Sequence, residues 1–143
     1  MSHIHYHNIQ SSLLRFCADF AEEHDLVAIN LDAHTDEVHW PDQDFIGLSE
    51  FRVDIMETYS GACMFGISTK EDTNLFRMGA LVKQLSALVL PNKCITAYDA
   101  DTGEEIGLIF ILQGTRIGAP IPTKTQPILP IGIRFETDLK SFG

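Results

Sequence analysis

The sequence is poor in positive charge where it is richest in negative. Residues 1–60 carry twelve Asp and Glu side chains against only Arg15 and Arg52, a net of −10, whereas residues 61–143 balance eight acids with eight bases. The whole formal charge of −10 therefore lies in the first part of the chain. Holding DNA non-specifically needs a basic surface that releases counterions from phosphates, so this distribution argues against a nucleic-acid binder. A solvated acidic face that keeps the protein soluble is the simplest reading of it.

Other absences narrow the class further. No apolar run approaches the roughly 18 residues that span a bilayer, and no basic segment followed by an apolar one opens the sequence, so neither a membrane nor a secretory route is expected. The three cysteines, Cys17, Cys63 and Cys94, are odd in number and lack CxxC spacing. They read as reduced thiols of a cytosolic product that pack as small hydrophobes. No serine lies in a GxSxG elbow. Cys63, in SGACMFG, has no charged neighbour in sequence to lower its pKa. TGEEIG and QGTRIGAP lack the glycine spacing and the Lys-Ser/Thr pair of a phosphate loop.

The histidines are the chemistry-bearing residues that remain. In HIHYH, His3, His5 and His7 alternate. An extended backbone points all three one way but sets His3 and His7 roughly 13 Å apart, too far to share an ion. A helical backbone makes His3 and His7 an i,i+4 pair, without the glutamate that follows the first histidine in HExxH. Zinc needs three protein ligands, or four in a structural site, and no spacing selects His24, His34, His39 or a carboxylate to complete the set. The stretch DAHTDEVHWPDQD places His34 and His39 among five acids. It reads as a solvent-facing loop anchored by Trp40, because acid–base catalysis needs a positioned pair and a pocket that shifts pKa values. No catalytic residue, metal or cofactor is expected.

Periodicity supplies the architecture. Ile9, Leu13, Phe16, Cys17, Phe20 and Ala21 form a helical stripe over Asn8–His24. LVAINL (26–31) predicts a short strand. FIGLSEFRVDIMETYS (45–60) predicts one long strand with Phe51, Val53 and Ile55 inward and Glu50, Arg52 and Asp54 outward. Gly61 and Gly66 are expected to bracket a loop, and Ser68–Thr69 to start a second helix over about Asp72–Leu90, which Pro91 stops. CITAY (94–98), EEIGLIFILQGTRIG through about Ile117, and ILPIGIRFETDL predict three further strands. GAPIPTKTQPILP, with its four prolines, reads as an extended connection. The fold class expected is α+β, a mostly antiparallel sheet with two helices packed on one face. One domain over residues 1–143 accounts for the chain, with an extended arm at about 107–130.

As a whole the pattern resembles the tail-terminator (tail-completion) proteins of long-tailed bacteriophages, the lambda-like and related ones. The likeness runs through the amphipathic opening helix Asn8–His24, the strand FRVDIMETY, the central helix EDTNLFRMGALVKQLSALVL and the closing strand PIGIRFETDL. It spans nearly the whole chain and is one of architecture and size rather than of a diagnostic motif. It implies a structural virion protein, made in the host cytoplasm, that caps the tail tube as a six-fold ring and contributes to the head–tail joint. The partners implied are further copies of itself, the tail tube protein and neck or connector proteins, with DNA passing through unbound.

Within that resemblance Asp42, Asp44, Glu50, Asp54 and Glu57 are candidates for an acidic lumen face that repels phosphates. Arg52, Arg77, Arg116 and Arg134 are candidates for pairing with acids of an adjacent copy, and the 107–130 arm for augmenting a neighbour. Two alternatives stand beside it. One is another phage neck or accessory interaction module of the same size, or an unrelated α+β binding domain, and the other a small metal-binding protein or enzyme that uses the histidines.

Overall fold

An α-helix, α1 (Tyr6–His24), buries Ile9, Leu13, Cys17, Phe20 and Ala21 along the stripe expected. It ends at Asp25, which takes the left-handed conformation, and the Leu26 N–H closes onto the Ala21 carbonyl at 2.8 Å. The computed structural model describes residues 5–55 and 58–140. After α1 come β1 (Val27–Asn30), β2 (Phe45–Ile55), β3 (Tyr59–Ser68), α2 (Phe76–Leu88), β4 (Cys94–Tyr98), β5 (Glu105–Ile111), β6 (Arg116–Ile117) and β7 (Ile128–Leu139). The strands form one sheet in the order β1-β2-β3-β7-β5-β4, with β6 lying against the first half of β7. The β1–β2 pair is parallel, and the other pairings are antiparallel.

One face of this sheet is apolar across every long strand. Ile46 and Leu48 of β2, Cys63, Phe65 and Ile67 of β3, Ile131, Ile133 and Phe135 of β7, Ile109 and Ile111 of β5 and Ile95 of β4 join a single buried cluster. Both helices enter that same cluster, α1 through Ile9, Leu13, Cys17 and Phe20, and α2 through Met78, Leu81, Val82 and Leu85. The domain is therefore α+β, with both helices on one face of a mostly antiparallel sheet. The sheet curls, so that α1 touches β4 near one end and β1 and β2 near the other.

Two polar residues let α1 close that curl. Asn8 and Ser12 are buried on its inner side, positions where a polar group is tolerated only when paired. The Ser12 hydroxyl accepts the Tyr98 N–H at 2.9 Å and donates to the Asn8 carbonyl at 2.7 Å. The Asn8 Oδ1 accepts the Ala100 N–H at 2.8 Å. These bonds satisfy an amide of β4, an edge strand otherwise open to pairing with another chain, and one of the turn that follows it.

Three expectations are corrected. Residues 45–60 are not one strand, and Gly61 and Gly66 do not bracket a loop: both glycines lie inside β3, which forms a hairpin with β2. They are glycines because neighbours occupy the space of a side chain. A Cβ on Gly61 would lie 2.1 Å from the Arg52 carbonyl oxygen, and one on Gly66 2.6 Å from the Ile128 side chain. The second helix starts later, at Phe76, after a short 3-10 turn over Thr73–Leu75 in which Asn74 and Leu75 have positive φ. Asp72 still caps it, accepting the N–H groups of Arg77 at 3.1 Å and Met78 at 2.8 Å. The arm does not begin at 107, because β5 is paired with both β4 and β7. Beyond Ile111 the chain is largely exposed as far as the buried Gln126, and is held to β7 by the Arg116–Ile117 pairing, a Gly118 N–H to Pro130 carbonyl bond of 2.8 Å and the Ile121–Ile128 bridge.

Replacing Ser12 by Ala leaves the Tyr98 amide without its partner at a half-buried edge. The loss expected is about 1–3 kcal/mol of unfolding free energy, measured by denaturant titration, and a loss below about 0.5 kcal/mol would show that α1 does not close the edge in this way.

Candidate assembly surface

The face of the sheet turned away from the helices is set by a bulge in β2. Ser49 pairs with Met64 and Arg52 with Ala62, so the β2 side has one extra residue between them, and Glu50 takes a φ of 49°. The Asp32 carboxylate secures the bulge by accepting the Glu50 N–H at 2.8 Å and the Phe51 N–H at 3.1 Å. Its effect is a change of parity. Before it Ile46 and Leu48 face the core; after it Phe51 and Val53 do, and Arg52 and Asp54 turn outward.

Register then gathers residues that are far apart in sequence. Arg52 pairs with Ala62, and Ala62 with Arg134. Directly opposed residues share a face, so Arg52 and Arg134 flank Ala62 at two strand spacings, about 9–10 Å between backbones. Arg116 pairs with Gly132, two residues from Arg134 on the same face. Arg52, Arg116 and Arg134 are exposed, and none makes an ion pair among the described residues. In the adjoining rows Asp54 pairs with Ser60 and Ser60 with Glu136, followed by Phe110 and Leu108, which are 36% and 37% exposed. A shallow open depression over the bulge is lined by Glu50, Phe51, Arg52, Ala62, Cys63 and Met64.

The fourth candidate arginine is engaged elsewhere. Arg77, on α2, donates from Nε and Nη2 to the Asp44 carboxylate, the latter bond at 2.9 Å, and also to the Lys70 carbonyl. Asp44 accepts the Lys70 N–H at 2.8 Å as well. The Arg77 hydrogen bond holds the Asp44 carboxyl below its ordinary range, with help from the Lys70 amide and the guanidinium charge, against partial burial and the Asp72 charge. Burial pushes the Asp72 carboxyl upward, but the amides of Met78 and Arg77 and the Thr69 hydroxyl outweigh it and leave it low.

The acidic stretch 32–44 proves to be tied down rather than free. Asp32 holds the bulge, Asp36 accepts the Val38 N–H at 3.1 Å, Glu37 accepts the Lys124 N–H at 2.9 Å, Asp42 meets Lys70 at 2.9 Å and Asp44 meets Arg77. Of the five lumen candidates, Asp42, Glu50 and Asp54 are exposed, Asp44 is half-buried in its clamp, and Glu57 lies outside the described residues. Four further acids, three on α1 and one at its C-cap, form a second negative surface. Asp19, Glu22, Glu23 and Asp25 are exposed and have no side-chain hydrogen bond or ion pair among the described residues. The available signal was their place: carboxylates at a helix C-terminus oppose the helix dipole.

The histidines and cysteines of the described residues are spread over several elements of the fold. His3 lies outside the described residues. His5 is buried at the start of α1, its Nε2 3.1 Å from the Lys140 carbonyl and its ring edge-on to Tyr59, whereas His7 is exposed. His34 and His39 are exposed on their loop, where the Trp40 indole donates to the His34 carbonyl at 2.8 Å and rests against Phe45. Among the described residues no three His, Cys, Asp or Glu side chains converge as metal ligands, and no helix is long and apolar enough to cross a membrane. Burial pushes the Cys17 and Cys63 thiols well above their usual range.

No family model matches the chain, and no curated protein matches it in sequence. A solved chain whose designation names no activity shares the fold, with a TM-score of 0.64 over 94% of this chain and 96% of that one, at 10% identity. At that identity the likeness speaks for the fold alone.

The Asp44–Arg77 clamp has a defined pH dependence. Because the Asp44 pKa is depressed on folding, its contribution is complete above the ordinary value of 3.8 and is lost as the pH falls through the lower folded value. Asp44→Asn is expected to lower stability at neutral pH by about 1–2 kcal/mol and to flatten the decline below pH 4. Thermal unfolding of both proteins across acid pH measures this, and parallel declines would refute it.

Proposed function

We propose that this domain is a structural protein of a bacteriophage virion, closing the tail tube as a ring of identical copies and forming part of the head–tail joint. The observation that carries the reading is the exposed part of the sheet face opposite the helices: Arg52, Arg116 and Arg134 make no ion pair among the described residues, and the half-exposed Phe110 and Leu108 follow on the same face. Arginine and aromatic side chains are enriched at protein interfaces, where a guanidinium finds a carboxylate and a ring finds a dry surface.

The charge balance favours assembly of copies in a directed way. Copies of net charge −10 repel one another unless each contact sets bases of one against acids of the next. A standard contact buries about 800 Å² per partner, and two per copy would cover about a fifth of the 8299 Å² surface, which is affordable for a domain of this size. A contact between two different patches propagates head to tail and closes into a ring when its rotation permits. The uncovered acids would leave the bore repellent to DNA, which passes without specific binding. In this reading the partners beyond further copies are the tail tube protein and the neck proteins, and the protein is made in the host cytoplasm before it joins the tail.

Native mass spectrometry and negative-stain electron microscopy across concentration test the proposal. A closed ring of six copies, weakened by raising salt from about 50 to 500 mM, is the result expected. A species that stops at two copies, or a monomer at every concentration, would overturn it.

A further inference from the structure

We infer that the acidic C-terminal half of α1 in one copy seats on the arginine-bearing sheet face of the next. This inference rests on the ring reading and names its contact. Four observations converge on it. Arg52, Arg116 and Arg134 share one sheet face and lack an ion-pair partner among the described residues. Asp19, Glu22, Glu23 and Asp25 lack one too, and they sit where the dipole of their own helix disfavours them.

The acids of residues 32–44 are weaker contenders, since each already holds an intrachain partner. Placement completes the case. Because α1 packs on the apolar face of the sheet, its exposed side and the arginine face point to opposite sides of the molecule. A contact between them joins two different patches and leaves one of each free, so it extends from copy to copy rather than stopping at a pair.

The arginines also have local competitors, and these limit the site. Asp54 and Glu136 occupy the next row, toward the β2–β3 turn, Asp138 lies beyond Glu136, and Glu50 sits at the bulge beside Arg52, so the positive part of the face is the portion bounded by Arg52, Arg134 and Arg116. Met64, Ala62 and Gly132 lie between these side chains and are small or flexible, which leaves room for carboxylates to approach. On the helix, Ala18 is exposed beside Asp19 and Glu22 and offers a flat surface for close packing.

Charge exchange tests the contact in the full chain. Two variants are made, Arg52→Glu with Arg134→Glu, and Glu22→Lys with Glu23→Lys, and each is examined alone and mixed one to one by sedimentation velocity at low salt. Each alone is expected to assemble at least about tenfold more weakly than the parent, and the mixture to recover assembly, because every helix then meets a face of opposite charge. The helix variant carries its own control for folding. Lysines at a helix C-terminus suit the dipole, so its thermal midpoint should rise while its assembly falls.

If the parent assembles and either variant assembles equally well, or the mixture fails to recover, the contact is wrong while the ring reading survives. If Glu104→Lys with Glu105→Lys breaks assembly instead, the acidic surface is the β4–β5 turn and the inference is overturned. A parent that remains monomeric throughout removes the contact and the ring reading together.

Discussion

The curl of the sheet around α1 is the constraint from which the rest of the molecule follows. A sheet with one apolar face needs a cover, and here a single helix reaches both of its ends, touching β4 on one side and β1 and β2 on the other. The Phe16 ring lies 5.4 Å from that of Phe65 near the middle of the sheet, and Cys17 is fully buried beside it. Asn8 and Ser12 then bind backbone amides of β4 and its following turn. Apolar packing and edge satisfaction therefore come from adjacent turns of one helix. On the opposite face Leu31, Trp40 and Phe45 pack over the start of β2, and the part bearing Arg52, Arg116 and Arg134 is left to water or to a partner.

What that opposite face presents depends on one irregularity. Without the bulge at Glu50, the alternation begun by Ile46 and Leu48 would continue, and Arg52 would point into the core. Asp32 makes the irregularity cheap by giving two displaced amides a charged acceptor. A carboxylate in the connection after β1 thus decides where an arginine on β2 points, and two further arginines align with it through β3 and β7.

Some of this was legible in the sequence because it is local. The stripe of α1, the five residues of β4 and the alternation of β7 are each written within a dozen or so positions and need no knowledge of neighbours. The β2–β3 hairpin was not legible, since Gly61 and Gly66 look like loop punctuation and are in fact places where Arg52 and Ile128 press against the strand. The outward direction of Arg52 was readable from FRVDI, whereas its alignment with Arg134 and Arg116 depends on register, which no local pattern encodes. Arg77 looked equivalent to those three, yet its partner Asp44 lies across the fold and engages it within the chain. The acids at the end of α1 carry no local mark of a contact surface, because a charged helix end is usually just a solvated one.

The place of β7 carries a consequence for how the chain reaches this state. The last strand in sequence is hydrogen-bonded to β3 on one side and to β5 and β6 on the other. During synthesis, at about 5–20 residues per second, the preceding strands can form only two separate pieces of sheet, each with a naked edge awaiting it. Those pairings bridge long stretches of chain, so their entropy is lost late and all at once. Insertion of β7 is thus the step that fuses two half-sheets into one cooperative unit, and until it occurs the nascent chain displays both edges to any other strand it meets.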